Sequence, residues 1–180
     1  MVAFLWENLF RGTSAEKAIT GILQENILFQ DLTPKQQKFV GNIVHLRKYR
    51  KNETIFKQGE IGVGMYIIIS GAITISVEQN RSTPGVDSGQ IVITHLKAGD
   101  FFGELALVEE SSRRSATAGA TEATELIGFF KPDLLEIIER NPSAGVKITL
   151  RLAEVLGRRL RETNDRVSKL EKRLKRYKRE

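Results

Sequence analysis

The chain has 180 residues, 41% of them hydrophobic, no cysteine and a formal net charge of +6. That length and apolar content suit one packed domain with appendages, and the missing cysteine excludes disulfides, thiolate metal sites and thiol nucleophiles. No apolar run approaches the ~20 residues of a membrane span, and Glu7 breaks a short apolar start that lacks a basic leader, so a cytoplasmic chain is expected.

Residues 2–10 are rich in large apolar groups, and a helix there would put Val2, Leu5, Trp6 and Leu9 on one face. Such a face packs on its own domain or a dimer partner, or serves as a peripheral membrane or partner anchor. Thr13 or Ser14 can cap a second helix ending near Asn26. Pro34 starts a third, with Phe39, Ile43 and Val44 as its apolar residues. From Arg47 to Phe129 the period changes to two. Ile73, Ile75 and Val77 alternate with Thr74 and Ser76, which predicts a half-buried strand. Met65–Ile69 is continuously apolar, as in a strand covered on both faces. Asn80–Gln90 reads as a mobile hairpin loop. Short strands at regular spacing predict a closed or double-sheet β-roll.

Next comes Phe101-Phe102-Gly103-Glu104-Leu105-Ala106-Leu107, then Arg114-Ser115-Ala116-Thr117. Gly103 lets the backbone approach a ligand closely. Leu105–Leu107 can form one helical turn whose free N–H groups face an anion. Arg114 can grip a phosphate through paired hydrogen bonds, and Ser115 adds a hydroxyl. Glu104 would repel a phosphate but can accept from a sugar hydroxyl. The segment therefore reads as a sugar-phosphate pocket.

A helix follows Lys131-Pro132 and is broken at Asn141-Pro142. Ser143 can cap a long last helix. Its seam is Val146, Thr149, Ala153, Leu156, Leu160, Thr163, Val167, Leu170, Leu174 and Tyr177, spaced alternately by three and four. This heptad, with Val167 at a and Leu170 at d, favours a parallel homodimer. A single helix lying on its own roll accounts for the first half of the seam only. Asp165–Glu180 holds eight Lys/Arg against three Asp/Glu, so residues 1–164 carry about +1 and the basic character belongs to the tail. The tail reads as a solvated coiled-coil face or a dock for an acidic partner. Phosphate contacts by Lys172–Arg179 are the lesser reading.

The Gly103, Glu104, Leu105, Ala106, Arg114 and Ser115 pattern resembles the phosphate-binding cassette of cyclic nucleotide-binding domains. Its spacing and Arg-Ser pair are similar to the bacterial catabolite-activator branch. The resemblance covers roughly residues 28–165 and implies an α+β fold. That fold is an antiparallel β-roll (double-stranded β-helix or jelly-roll, cupin-like) flanked by N-terminal helices and a long C-terminal dimerisation helix. The implied organisation is 1–27 as a helical extension, 28–142 as the roll with its flanking helices, and 143–180 as the long coiled-coil helix.

By the same resemblance Gly103-Glu104 meets a ribose 2′-hydroxyl and Arg114 the cyclic phosphate. Ile75, Ile93, Phe102 and Thr94 line the base and sugar. Arg158-Arg159-Leu160-Arg161-Glu162-Thr163-Asn164 resembles the stretch that supplies a Thr to the adenine amine and the next residue from the partner subunit, here Thr163 and Asn164. cAMP is the expected ligand, with cGMP weaker or competing, since Ser115 can also meet a guanine amine.

The expectation is a non-catalytic sensor in which ligand closes the cassette and reorients the last two helices, passing the signal to an effector protein. The bacterial transcription factors of the family carry a helix-turn-helix after the long helix. The sequence ends at Glu180, so sequence-specific DNA binding is not expected of it. Two alternatives stay open: a scaffold dimer with a vestigial pocket, and a cupin-like metal enzyme. The latter needs a ligand cluster that His45, on a helix end, and His95, on a strand, do not supply.

Overall fold

The computed structural model describes residues 14–78 and 89–177, and for residues 14–18 the backbone alone. The predicted 2–10 helix and all but the last two residues of the Asn80–Gln90 loop lie outside that range. Helix α1 (Ser14–Glu25) precedes α2 (Pro34–Gly41). Thr33 caps α2 in a reciprocal capping box with Gln36, which satisfies two otherwise orphaned donors. Six strands follow: β1 (His45–Tyr49), β2 (Thr54–Phe56), β3 (Gly64–Ser70), β4 (Ala72–Glu78), β5 (Gln90–Lys97) and β6 (Phe101–Phe102). The four-residue α3 (Leu105–Val108) leads to β7 (Thr117–Ala120) and β8 (Thr124–Phe130), then to α4 (Lys131–Arg140) and the 36-residue α5 (Pro142–Tyr177).

The strands form two antiparallel sheets, ordered β1-β8-β3-β6 and β2-β7-β4-β5. The fold is thus α+β, an antiparallel roll with flanking helices and a long C-terminal helix. Between the sheets lie Ile68, Ile73, Phe102, Ala118, Ala120 and Leu126. A second core lies between the first sheet and the helices, where Met65, Ile67, Ile127 and Phe129 meet Ile19, Leu23, Ile137, Ile148 and Leu152. β3 therefore feeds both cores, which is why Met65–Ile69 is apolar without alternation. Ile19 and Leu23 of α1 belong to the same core as the roll.

β4 departs from the predicted alternation. Its pairing with β5 slips between Ile75 and Ser76, where Ile93 of β5 is the extra residue of a bulge. Ser76 is buried, and its hydroxyl donates to Gln90 Oε1 at 3.1 Å. His45 begins β1 rather than ending a helix, and pairs with Asp133 at 3.3 Å.

The α4–α5 corner turns on Asn141, not on Ser143. Its N–H closes α4 on the Ile137 carbonyl at 2.8 Å, and its Oδ1 accepts from Ala144 N at 3.2 Å. One residue thus ends one helix and caps the next, with Pro142 at the first position of the second. Gly145 is where the two helices cross, since a Cβ there would lie 2.6 Å from Ile138 Cγ1. The first half of α5 buries Ala144, Ile148, Leu152 and Val155. Arg151 also bonds Asp31 at 2.5 Å and holds that carboxyl below its usual range. Among the described residues the second half has no such cover: Leu160, Val167, Leu170, Leu174 and Tyr177 are all exposed. Among the described residues no helix is long and apolar enough to cross a membrane.

Candidate functional site

A cavity of about 250 Å³ opens where β6, α3 and the segment before β7 face the inter-sheet core. Gly103 makes the turn into it with φ +80°, a conformation that a Cβ strains. A Cβ there would also stand 2.5 Å from Arg114 Nη1. Glu104, buried, directs the chain into α3. The Ala106 and Leu107 N–H groups donate to the Gly103 and Glu104 carbonyls. Of the three predicted anion donors, only that of Leu105 is unbonded among the described residues.

Arg114 lies 7% exposed against the cavity. Nη1 donates to the Gly103 carbonyl at 3.2 Å and Nη2 to the Gly64 carbonyl at 2.8 Å, while the guanidinium covers the Phe56 ring at 4.0 Å. Gly62 makes room for it, since a Cβ there would stand 3.1 Å from Nε. Nε itself is buried and has no hydrogen-bond partner. No carboxylate of the described residues pairs with this guanidinium, and burial lowers its pKa. It remains charged, because arginine does not deprotonate in proteins. A buried cation with an unused donor is costly until an anion meets it.

Glu104 is engaged from a distance. Arg159, on α5, places Nη1 2.5 Å from Glu104 Oε1 and donates from Nη2 to the Phe101 carbonyl at 3.0 Å. It also lies over the Phe101 ring at 4.7 Å. A carboxylate that the local motif leaves unpartnered is therefore clasped by the long helix, which ties α5 to the cavity floor.

The structure brings together Gly103, Glu104, Leu105, Ala106, Arg114, Ser115, Ile75, Phe102 and Thr94 around the cavity. Ile93 is not among them: it is 55% exposed. The bulge explains this, because Ile75 pairs with Thr94 and Ser76 with Val92, so Ile93 has no partner across the ladder. Thr94 and Leu96 then share the cavity face. Thr163 and Asn164 stand on the exposed stretch of α5, outside the lining, and the Thr163 hydroxyl donates to the Arg159 carbonyl at 2.8 Å.

Sequence reasoning missed Phe56, Leu96, Phe101, Arg113 and Arg159. The available signals were the period-two partner of Thr94 for Leu96, and the Arg158–Asn164 stretch for Arg159. Elsewhere, no group of three His, Cys, Asp or Glu side chains able to hold a metal occurs among the described residues.

A β-roll that sets a buried arginine beside a carboxylate at a glycine turn is a small-anion binding domain with a second, hydroxyl-accepting group. Comparison with known proteins narrows this class. The cyclic nucleotide-binding domain family matches residues 46–141. The cyclic AMP receptor protein of Thermus thermophilus is 34% identical over 137 residues, 76% of this chain and 58% of the relative. The cAMP-activated global transcriptional regulator CRP of Salmonella typhimurium is 30% identical over 126 residues, 70% of this chain and 55% of the relative. The crystal structure of Thermus thermophilus catabolite activator protein superposes with TM-score 0.67 at 32% identity, covering 81% of this chain and 63% of that one. The chain belongs to the cyclic nucleotide-binding domain family. It spans somewhat over half the length of these curated relatives.

Proposed function

We propose that this chain binds cAMP, in preference to cGMP, in the Gly103–Arg114 cavity and acts as a non-catalytic regulatory sensor. The observation that carries the reading is Arg114, a buried guanidinium that lines the cavity, with an Nε–H that has no hydrogen-bond partner and no carboxylate partner among the described residues. A cyclic phosphate supplies the missing anion, and Arg presents its donors to it in a planar fork. Glu104 is the acceptor for the ribose 2′-hydroxyl, in competition with Arg159. Ile75, Thr94, Leu96 and Phe102 supply the wall against sugar and base. The test is calorimetric titration with each nucleotide. One cAMP per chain, bound more tightly than cGMP, is expected. Binding of neither removes the nucleotide reading, and tighter cGMP removes the base preference.

The proposed output is a homodimer through α5. Its exposed Leu160, Val167, Leu170 and Leu174 form an apolar seam with no cover from the described residues of the same chain, and apolar seams at heptad spacing pair with a second helix. Thr163 and Asn164 lie along this seam, where they can close over the base from two chains. Ligand binding and helix geometry then share one equilibrium, shifted by the ligand's differential affinity for its two states. The signal passes through the helices to an effector protein. Leu170→Lys is expected to convert dimer to monomer in light scattering, with weaker cAMP binding in the same sample. An unchanged mass would overturn the seam. Thr163→Ala is expected to narrow the cAMP-to-cGMP preference. An unchanged ratio would remove Thr163 from base recognition.

A further inference from the structure

The charges that line the cavity do not balance against the ligand proposed for it. Arg113, Arg114 and Arg159 face it, opposed by the single carboxylate of Glu104. Arg159 and Glu104 pair with each other. Arg114 answers the single negative charge of a cyclic phosphodiester. One cation, Arg113, is left over. At about 250 Å³ the cavity lies just below the usual span of ligand sites, roughly 300–1,000 Å³, so it has no room for a second nucleotide to which the extra charge could belong.

Arg113 differs from its neighbour in every respect that matters for a role. It is exposed where Arg114 is buried. Its Nη1 donates to the Gly59 carbonyl at 2.8 Å, and its backbone pairs with Ile61 in an antiparallel bridge. Arg113 lines the cavity, and this bond holds its side chain rather than leaving it free to sweep solvent. No carboxylate of the described residues lies within ion-pair distance of it, and the bond to Gly59 uses one of its five N–H donors. We infer that Arg113 is a rim cation that draws the anionic nucleotide into the cavity and sets its rate of entry, while Arg114 holds it there. This rests on the nucleotide reading above. A charge at a rim acts before contact, so it changes the association rate and its salt dependence, whereas a buried partner governs release.

Stopped-flow association of cAMP carrying a fluorophore at C8 tests this on the full chain. At about 10 mM salt, where the screening length is ~30 Å, Arg113→Gln is expected to associate about three- to tenfold more slowly than wild type. Its dissociation rate should change less than twofold. The gap should close near 1 M salt, where screening acts within ~3 Å. Arg113→Lys keeps the charge but not the planar fork, and is expected to recover most of the rate. Equal association rates at low salt overturn the inference, as does a defect confined to dissociation or an Arg113→Lys as slow as Arg113→Gln. If wild type itself binds neither cAMP nor cGMP, the nucleotide reading falls and this inference with it. A wild type that binds, with an Arg113→Gln that enters equally fast, removes the rim role alone.

Discussion

Arg114→Ala is expected to weaken cAMP binding by roughly thirtyfold or more. Truncating one member of a buried charge pair costs about 2–5 kcal/mol, so affinity should fall from roughly thirtyfold to beyond a thousandfold. Thermal unfolding gives a second reading of the same effect. At a hundred times Kd, ligand stabilises the native state by about 2.7 kcal/mol. For a chain of this length that is a rise of about 5–10 °C in Tm. The wild type should show that rise, and Arg114→Ala should show about a third of it or less at the same concentration. The variant without ligand is the control for folding. It loses bonds to the Gly103 and Gly64 carbonyls but also sheds a buried cation that no carboxylate balances. A retained thermal shift, or affinity within a factor of three of wild type, would contradict the role assigned to this residue.

Gly64→Ala is expected to have the largest effect on stability. Gly64 sits in β3 opposite Phe130, and a Cβ there would stand 2.4 Å from the Phe129 carbonyl oxygen and 2.6 Å from Phe130 Cα. Both are backbone atoms of the adjoining strand, so no rotamer change relieves the clash. Separating the strands costs about 3 kcal/mol or more. The urea midpoint should fall by about 1–2 M for a slope of ~2 kcal/mol/M. The Gly64 carbonyl also holds Arg114 Nη2, so what folded protein remains should bind cAMP more weakly. Gly21→Ala in α1 is the control. Nothing lies within 4 Å of a Cβ there, and helix propensity predicts a gain of about 0.5–1 kcal/mol. A Gly64→Ala midpoint within 0.5 M of wild type would count against the close strand approach.

Much of this was written locally in the chain. The change of period at Arg47, the uninterrupted Met65–Ile69 run and the glycine-carboxylate turn at 103–104 each follow from residues within a few positions of one another. The structure keeps all three. What was not legible depends on distance or on a single slipped pairing. Nothing near Glu104 says that its partner comes from Arg159, one side chain on a helix that starts after two intervening strands and two helices. Nothing in Gln90–Lys97 marks the bulge at Ile93, which puts Thr94 rather than Ile93 on the cavity wall. The Asn141-Pro142 break was visible, but its double duty was not, because closing one helix and capping the next is a property of backbone direction. The seam of α5 was read from spacing, and the structure leaves its second half uncovered.

That long helix has a mechanical consequence. Its 36 residues span about 54 Å at 1.5 Å per residue. Core packing of its buried face ends near Val155, and its last grip on the roll is the Arg159 clasp. From Arg159 to Tyr177 the arm is about 27 Å. A tilt of only 5° about the clasp therefore carries the far end through roughly 2.4 Å, more than one residue's rise along a helix axis. A change of partner at Glu104 that tilted the helix by that much would reach Tyr177 at the scale of one helix slipping past another.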